Sequence, residues 1–366
     1  MRVAMLTPPP EIRGPLPKLV PVLAASLRAQ GCEVSLQPWG RHREVEPLWR
    51  KLAQRPIDVW RARRRLRADP ADVVVVHTAH FWSTLLRDLP LLLALRAPRR
   101  ALVVHLHGSL ADRLVGPGQE AFKRGSALLV GLSDAVLVLS SEEQRQWQAF
   151  LPAGRIRLVR NPLPPPTSPN PGAFHDRFGI AAGDPIVLFV GRLIAAKGIL
   201  DLLAVLAAGA PRFHLLVVGE GPLEAEIRRR AAAAGVGARL TLTGYLDGAE
   251  LQAAYAIADL FVLPTAHSEG LPLVILEAMA AGLPIVTTPM RGMADHLRDE
   301  RNALMVPPGD RAGLATAIRR LLGDGDLRRR LGATNRDTVR EFSPERVGVD
   351  YLAALREAFD ARRAVA

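Results

Sequence analysis

The stretch Asp259-Leu260-Phe261-Val262-Leu263-Pro264-Thr265-Ala266-His267-Ser268-Glu269-Gly270-Leu271-Pro272-Leu273-Val274-Ile275-Leu276-Glu277-Ala278 places a strand, a polar loop and the start of a helix in direct succession. Leu260 to Leu263 reads as a short buried strand. The apolar run from Leu271 to Ala281 is long enough for a helix, with Pro272 near its start and Gly282 at its end. Glu269 then lies in the connecting loop, and Glu277 falls on about the second helical turn among apolar neighbours. A carboxylate there is costly unless something hydrogen-bonds or pairs with it. Two readings stay open: a buried glutamate held by a structural partner, or a polar ligand bound at the end of a parallel sheet.

Working outward, strand and helix alternate along the whole chain. Arg2 to Thr7, Glu33 to Gln37, Asp72 to His77, Ala101 to Leu106, Ala135 to Ser140 and Ile156 to Val159 are predicted strands. The pattern pauses at Arg160-Asn161-Pro162-Leu163-Pro164-Pro165-Pro166-Thr167-Ser168-Pro169-Asn170-Pro171-Gly172, a stiff, extended, helix-incompatible stretch that reads as a linker. It restarts with Ile186 to Val190, Phe213 to Val218, Arg239 to Thr243, Leu260 to Leu263, Ile285 to Thr287 and Ala303 to Val306. Two doubly wound α/β domains follow, at 1–160 and 161–343. Residues 344–366 read as one amphipathic helix with Val347, Tyr351, Leu352, Leu355 and Phe359 on one face, returning to the first domain.

At 366 residues and 49% hydrophobic content, the chain has apolar surface enough for two cores. Cys32 is the single cysteine, which excludes a disulfide framework and a cysteine-based metal cage within one chain. Met1 to Thr7 reads as a strand rather than a signal peptide, and the apolar run Leu85 to Ala97 is broken by Arg87, Asp88, Pro90 and Arg96, so a cytoplasmic protein without a membrane span is expected. The net charge of +12 lies entirely in residues 1–160, with 25 Lys+Arg against 13 Asp+Glu; residues 161–366 balance at 23 each. Much of the excess is Arg41, Arg43, Arg50, Lys51, Arg55, Arg61, Arg63, Arg64, Arg65 and Arg67, interleaved with Trp39, Trp49 and Trp60. A solvated, arginine-biased helix face explains such a run. A docking face for anionic lipid headgroups suits Arg and Trp together better than nucleic acid does, since no nucleic-acid module is recognisable. Peripheral attachment to the inner face of the cytoplasmic membrane is therefore expected.

Three further loops follow strands of the second domain. Gly191-Arg192-Leu193-Ile194-Ala195-Ala196-Lys197-Gly198 offers Arg192 as a planar fork and Lys197 as a point charge, a pair suited to a diphosphate; surface cations flanking a turn are the alternative. Lys197 is one of only four lysines, with Lys18, Lys51 and Lys123. Val218-Gly219-Glu220-Gly221-Pro222 and Thr243-Gly244-Tyr245-Leu246 are glycine-bearing, and the glycines are expected to let backbone approach a ligand closely. In the first domain, Val104-His105-Leu106-His107-Gly108-Ser109 ends a strand.

Together with Asn302-Ala303-Leu304-Met305-Val306-Pro307-Pro308-Gly309-Asp310, these motifs resemble the family 4 glycosyltransferases of GT-B fold over nearly the whole chain. That resemblance implies two Rossmann-like domains facing each other across a cleft, the first binding acceptor and the second a UDP- or GDP-sugar, with transfer that retains anomeric configuration. It implies that Glu277 holds the ribose hydroxyls, that Arg192 and Lys197 bind the diphosphate, and that Glu269 with the backbone of Gly270, Leu271, Pro272 and Leu273 contacts the donor sugar. Gly191, Gly219, Gly221, Gly244, Tyr245 and Leu246 are placed in the donor site. His107 matches the family's His-Gly and is expected near the reacting centre; it and Glu269 are the candidate catalytic residues. The N-terminal loop Pro8-Pro9-Pro10-Glu11-Ile12-Arg13-Gly14-Pro15 retains Gly14 but lacks the family's glycine pair. Ser140-Ser141-Glu142 resembles a loop near the acceptor. No cofactor and no metal are expected, because cationic side chains and helix-end amides are suited to stabilise a departing diphosphate. Asp324-Gly325-Asp326, though an Asp-x-Asp, reads as helix capping in a polar turn. The acceptor class implied is a lipid-linked or saccharide molecule of envelope or exopolysaccharide synthesis. Two other classes are a metal-dependent hydrolase using His77, His80, His105 and His107, and a non-catalytic sugar-nucleotide or membrane scaffold.

Overall fold

The structure is a computed structural model that describes residues 1–40, 48–151, 155–180, 183–209, 211–267 and 270–365, with side chains in the helix from Leu48 described from residue 54 onward. In chain order the elements are β1 (Arg2–Thr7), α1 (Leu16–Ala29), β2 (Glu33–Pro38), α2 (Leu48–Ala68), β3 (Val73–His80), α3 (Trp82–Leu95), β4 (Ala101–Ser109), α4 (Glu120–Leu132), β5 (Ala135–Val138), α5 (Ser141–Phe150) and β6 (Ile156–Leu158). They continue with α6 (Pro171–Phe178), β7 (Ile186–Val190), α7 (Ile199–Ala207), β8 (His214–Val218), α8 (Glu224–Ala233), β9 (Leu240–Leu242), α9 (Gly248–Ile257), β10 (Leu260–Leu263), α10 (Leu273–Ala281), β11 (Ile285–Thr287), α11 (Arg291–His296), β12 (Leu304–Met305), α12 (Arg311–Gly323), α13 (Gly325–Val339) and α14 (Pro344–Val365). The chain separates into two compact units, Met1–Pro164 with Glu341–Ala366, and Pro165–Arg340.

Each unit is built on a six-stranded parallel sheet. Runs such as Val73-Val74-Val75-Val76 are apolar at every position because helices cover both faces of a parallel sheet. In the first unit the order is β2-β1-β3-β4-β5-β6. Alternation along the strands sorts its residues into two cores. Ala4, Leu6, Val74, Val76, Val104 and Leu106 face one side with Trp39, Phe122 and Trp147, while Val3, Met5, Val73, Val75 and Val103 face the other, where α1 and α14 supply Leu23, Leu27, Tyr351 and Leu355. In the second unit the order is β12-β11-β10-β7-β8-β9; counted from β7 as first strand, this is the Rossmann order 3-2-1-4-5-6.

The proline-rich stretch is irregular up to its end, where Asn170 caps α6 through its side chain and Pro171 opens the helix. The last two residues read as linker are therefore helical, as proline at a first helical position allows. The helix after β10 begins at Leu273 rather than Leu271, because Pro272 stays extended at ψ 136°, and it ends at Gly282 in the left-handed conformation, φ 73°. Asp324 accepts from Leu327 N–H at 2.8 Å, so the Asp-x-Asp is a helix cap. Ser140 likewise caps α5 by accepting from Glu143 N–H.

The α14 helix is part of the first unit. Gly348 lets it lie directly on α1, since a Cβ there would stand 2.8 Å from Ser26 Cβ. Leu163 N–H donates to Phe342 carbonyl oxygen at 2.7 Å, so the segment leaving this unit and the one re-entering it run side by side. No helix among the described residues is long and apolar enough to cross a membrane.

Candidate functional site

In the second unit the strand order reverses between β10 and β7, so the connections after these two strands diverge and leave a crevice at their carboxyl ends. The loop Gly191–Gly198 follows β7 and the loop from Pro264 to Pro272 follows β10. Backbone hydrogen bonds stitch these loops to their neighbours: Leu193 N–H to Glu220 O at 3.0 Å, Gly219 N–H to Gly244 O at 2.8 Å and Ala266 N–H to Ala196 O at 2.8 Å. Thr265 adds a side-chain bond to Ala196 O, and Thr288 donates to Thr265 O.

This stitching corrects the reading of the glycines. A Cβ on Gly219 would stand 2.0 Å from Gly191 O, one on Gly221 2.5 Å from Leu193 O, and one on Gly198 2.1 Å from Pro264 O. The close approach these glycines permit is of loop to loop. Gly292 does the same beneath the loop after β10, where its Cβ would stand 2.7 Å from Gly270 C. Gly244 alone in this set keeps ordinary clearance and is present for its φ of +74°.

The side chains on this frame differ in their surroundings. Arg192 is exposed, and among the described residues its guanidinium has no partner. Lys197 is 8% exposed and Glu277 9%, both unusual for charged groups. Glu277 sits on the second turn of α10, where Tyr255 from α9 donates its hydroxyl to Glu277 Oε2 at 2.9 Å. Burial, with the neighbouring Glu277, pushes the Tyr255 hydroxyl well above its usual pKa and keeps it a proton donor. Leu246 and Leu271 are buried, while Tyr245 is half-buried with its N–H on Glu220 Oε1 at 3.4 Å. Glu269 lies outside the described residues, as do Arg41 and Arg43; the side chains of Trp49, Arg50 and Lys51 do too.

Sequence reasoning missed Tyr255, Thr265 and Arg291. Arg291, buried and with φ 36°, opens α11 immediately before the Gly292 that braces Gly270. Only the apolar setting of Glu277 signalled that a partner was needed, and it did not say which.

In the first unit, His77 of β3 lies opposite His105 of β4, with His107 two residues on. His77 Nδ1 and His107 Nε2 are 3.0 Å apart, His105 stacks on His107 at 3.9 Å between centroids, and His105 Nδ1 meets Tyr351 Oη at 3.1 Å. Burial pulls the pKa of His107 down to about 3, and burial with the neighbouring imidazoles pulls His77 and His105 well below 6.5, so the group is neutral at pH 7. His80 does not join them. It sits on the opposite sheet face, between the rings of Phe122 and Trp147, with Nδ1 on Ser109 Oγ at 3.1 Å and Nε2 on Ser126 Oγ at 2.8 Å. A four-histidine metal centre is thereby reduced to three. Gly14 has φ +144° and open space beside its Cα.

On α2, Arg61, Arg63, Arg64, Arg65 and Arg67 are exposed, and Arg64 lies over the exposed Trp60 ring at 5.4 Å. Trp39, grouped with them in the sequence, is instead buried and donates Nε1–H to Asp88 at 3.0 Å.

Residues 20–165 match the family described as Glycosyltransferase Family 4, and residues 172–338 match Glycosyl transferases group 1. The chain belongs to the family 4 glycosyltransferases. Among its relatives, the lipopolysaccharide core biosynthesis glycosyltransferase LpsE of Rhizobium meliloti is 35% identical over 175 residues, 48% of this chain and 50% of LpsE. The match thus spans about half the length of that relative. Among solved structures, sucrose-phosphate synthase from Thermosynechococcus elongatus aligns with a TM-score of 0.80 at 24% identity, covering 98% of this glycosyltransferase chain and 99% of that one. Anabaena HepE in complex with UDP aligns with a TM-score of 0.76 at 19% identity, covering 97% and 100%. These likenesses establish the fold as GT-B.

Proposed function

We propose that this family member moves a sugar from a UDP- or GDP-sugar to a lipid-linked or saccharide acceptor, with retention of configuration and without a metal cofactor. The observation that carries the proposal is the reversal of strand order between β7 and β10: the segment after β7 carries the exposed Arg192 and the buried Lys197, and the helix that follows β10 carries the buried Glu277. A carboxylate accepts two hydroxyl hydrogen bonds, which suits Glu277 to a ribose diol, and Tyr255 holds that carboxylate in place. Departure of the nucleoside diphosphate develops negative charge on its terminal phosphate. Arg192 and Lys197, with the amides that begin α10, are suited to stabilise it. Glu269 and the backbone from Gly270 to Leu273 contact the donor sugar in this reading, and His107 is the first unit's candidate catalytic residue.

The solved complexes of HepE with UDP and with UDP-glucose support a nucleotide-sugar donor. The role of LpsE in lipopolysaccharide core synthesis supports an envelope glycan acceptor. The exposed arginines of α2 support attachment to an anionic membrane surface from the cytoplasmic side, where lipid-linked acceptors reside.

The experiment is donor turnover with an acceptor mixture in EDTA, after thermal-shift screening of UDP- and GDP-sugars has picked the donor. Turnover that survives EDTA and an early product with the donor's anomeric configuration by NMR are expected. An inverted linkage, or activity abolished by EDTA and restored by a divalent ion, overturns the mechanism.

A further inference from the structure

Three histidines gather at the ends of β3 and β4. His77 and His105 are register partners on adjacent parallel strands and His107 is two residues further along β4, so the three side chains leave the same sheet face. One ligating atom from each lies within 4.8 Å of the others. The 3.0 Å between His77 Nδ1 and His107 Nε2 is near the ~3.3 Å that separates two nitrogens in a tetrahedral zinc shell. Among the described residues, His77 Nε2, His105 Nε2 and His107 Nδ1 are buried without a hydrogen-bond partner. His77 and His105 are almost fully buried. Of these, His105 Nε2 is the one an ion would satisfy directly, since His77 and His107 meet through their other nitrogens, and left unmade its bond carries a desolvation cost.

We propose that His77, His105 and His107 form a three-imidazole site for one divalent transition-metal ion of the zinc class, with Tyr351 as the outer partner of His105. Imidazole nitrogen suits zinc, copper and nickel, whereas magnesium, calcium and manganese want oxygen ligands, and the group contains none. In the metal-bound form His105 Nδ1–H donates to Tyr351 Oη, 3.1 Å away, which leaves the lone pair on Nε2, the unpartnered nitrogen, for the ion. His107, half-buried, is the most solvent-exposed of the three and marks the way in. The fourth position is left to water, as in three-histidine zinc sites generally. An ion held here takes the His107 lone pair, so it opposes any part His107 plays in transfer, and its binding stands whether or not transfer does.

The test is equilibrium titration of the chelator-treated full-length protein with Zn²⁺ by calorimetry, and with Co²⁺ by its visible absorption. One equivalent should bind. Tyr351→Phe should weaken binding about 10–100-fold, the usual effect of losing an outer-sphere partner. His77→Gln and His105→Gln should weaken it further, and His175→Gln in the second unit should leave it unchanged. X-ray absorption of the zinc-loaded native protein should show three imidazole ligands, a readout that holds even where a histidine variant does not fold. No stoichiometric uptake by the native protein, fewer than three imidazoles on the ion, or unchanged affinity in folded Tyr351→Phe and His77→Gln overturns the site.

Discussion

Replacing Tyr255 with Phe removes one oxygen and leaves the ring, with its packing on Phe261, in place. The lost contact is a hydroxyl donating to a carboxylate oxygen at 2.9 Å in a buried setting. A hydrogen bond to a charged group contributes about 1.5–3 kcal/mol, and the deleted donor also leaves Glu277 less well satisfied. For a domain the size of the second unit, 1 kcal/mol moves Tm by about 2–4 °C, so a loss near 2 kcal/mol lowers it by roughly 4–8 °C. If Glu277 binds a ribose as proposed, the same hydrogen bond positions the carboxylate for it, and ~1.4 kcal/mol of lost positioning corresponds to about tenfold in UDP affinity. Urea unfolding gives the first quantity and calorimetric titration with UDP the second. A cycle with Glu277→Gln isolates the pair, and its coupling energy should fall between about 0.5 and 3 kcal/mol. If Tyr255→Phe stays within ~0.5 kcal/mol of the native protein and binds UDP equally well, the hydroxyl neither holds Glu277 nor serves the donor.

Acid should destabilise the first unit through His80, whose burial lowers its pKa from 6.5 to about 3. The unfolded chain takes up that proton below pH 6.5 while the folded chain does not, so stability is full above 6.5 and falls as pH drops towards 3; about 2 kcal/mol goes between pH 7 and 5, and a His80→Gln variant with the same pH dependence in urea would contradict it. Gly219→Ala should cost more than ~3 kcal/mol, because its Cβ would meet Gly191 O at 2.0 Å, whereas Gly244→Ala should cost only about 1–2 kcal/mol for its positive φ; equal melting temperatures would refute the loop-packing argument. Arg192→Ala should lower turnover at least ~100-fold and Lys197→Arg should also fail, with near-normal rates in both folded variants counting against the diphosphate clamp. Replacing Arg61, Arg63, Arg64 and Arg65 with Ser should abolish co-sedimentation with anionic liposomes at low salt; equal binding by both proteins would leave α2 a solvated surface.

The pattern of the chain foretold both sheets because a buried parallel strand must be apolar on both faces, as Val73–Val76, Ala135–Val138, Ile186–Val190 and Leu260–Leu263 are. It also showed that Glu277 needed a partner. It did not show Tyr255, since contact between α9 and α10 is fixed by helix packing over a distance no local pattern spans. The glycines were misread for a related reason: a sequence shows that backbone can come close, while the strand order decides that Gly191 is what comes close to Gly219. Trp39 was grouped with basic neighbours by proximity, yet it follows β2 into the core and finds Asp88. The separation of His80 from His77 was legible in principle, because an offset of three residues on a strand points to the opposite face.

The pairing of Leu163 with Phe342 means that the first unit is written in two pieces with the whole of the second between them. During synthesis the sheet of β1 to β6 emerges early, but the helix that covers Val3, Met5, Val73 and Val75 emerges last. At ordinary elongation rates the interval is roughly ten to forty seconds, in which this β-sheet face is covered by α1 but not by α14 while a complete Rossmann domain is made. The second unit is ready to fold as soon as it leaves the ribosome, whereas its companion is not finished until the turns of α14 arrive. A stop codon shortly before Pro344 would therefore spare the half that carries Glu277 and expose the other to aggregation, although the damage in the sequence lies immediately after the half that survives.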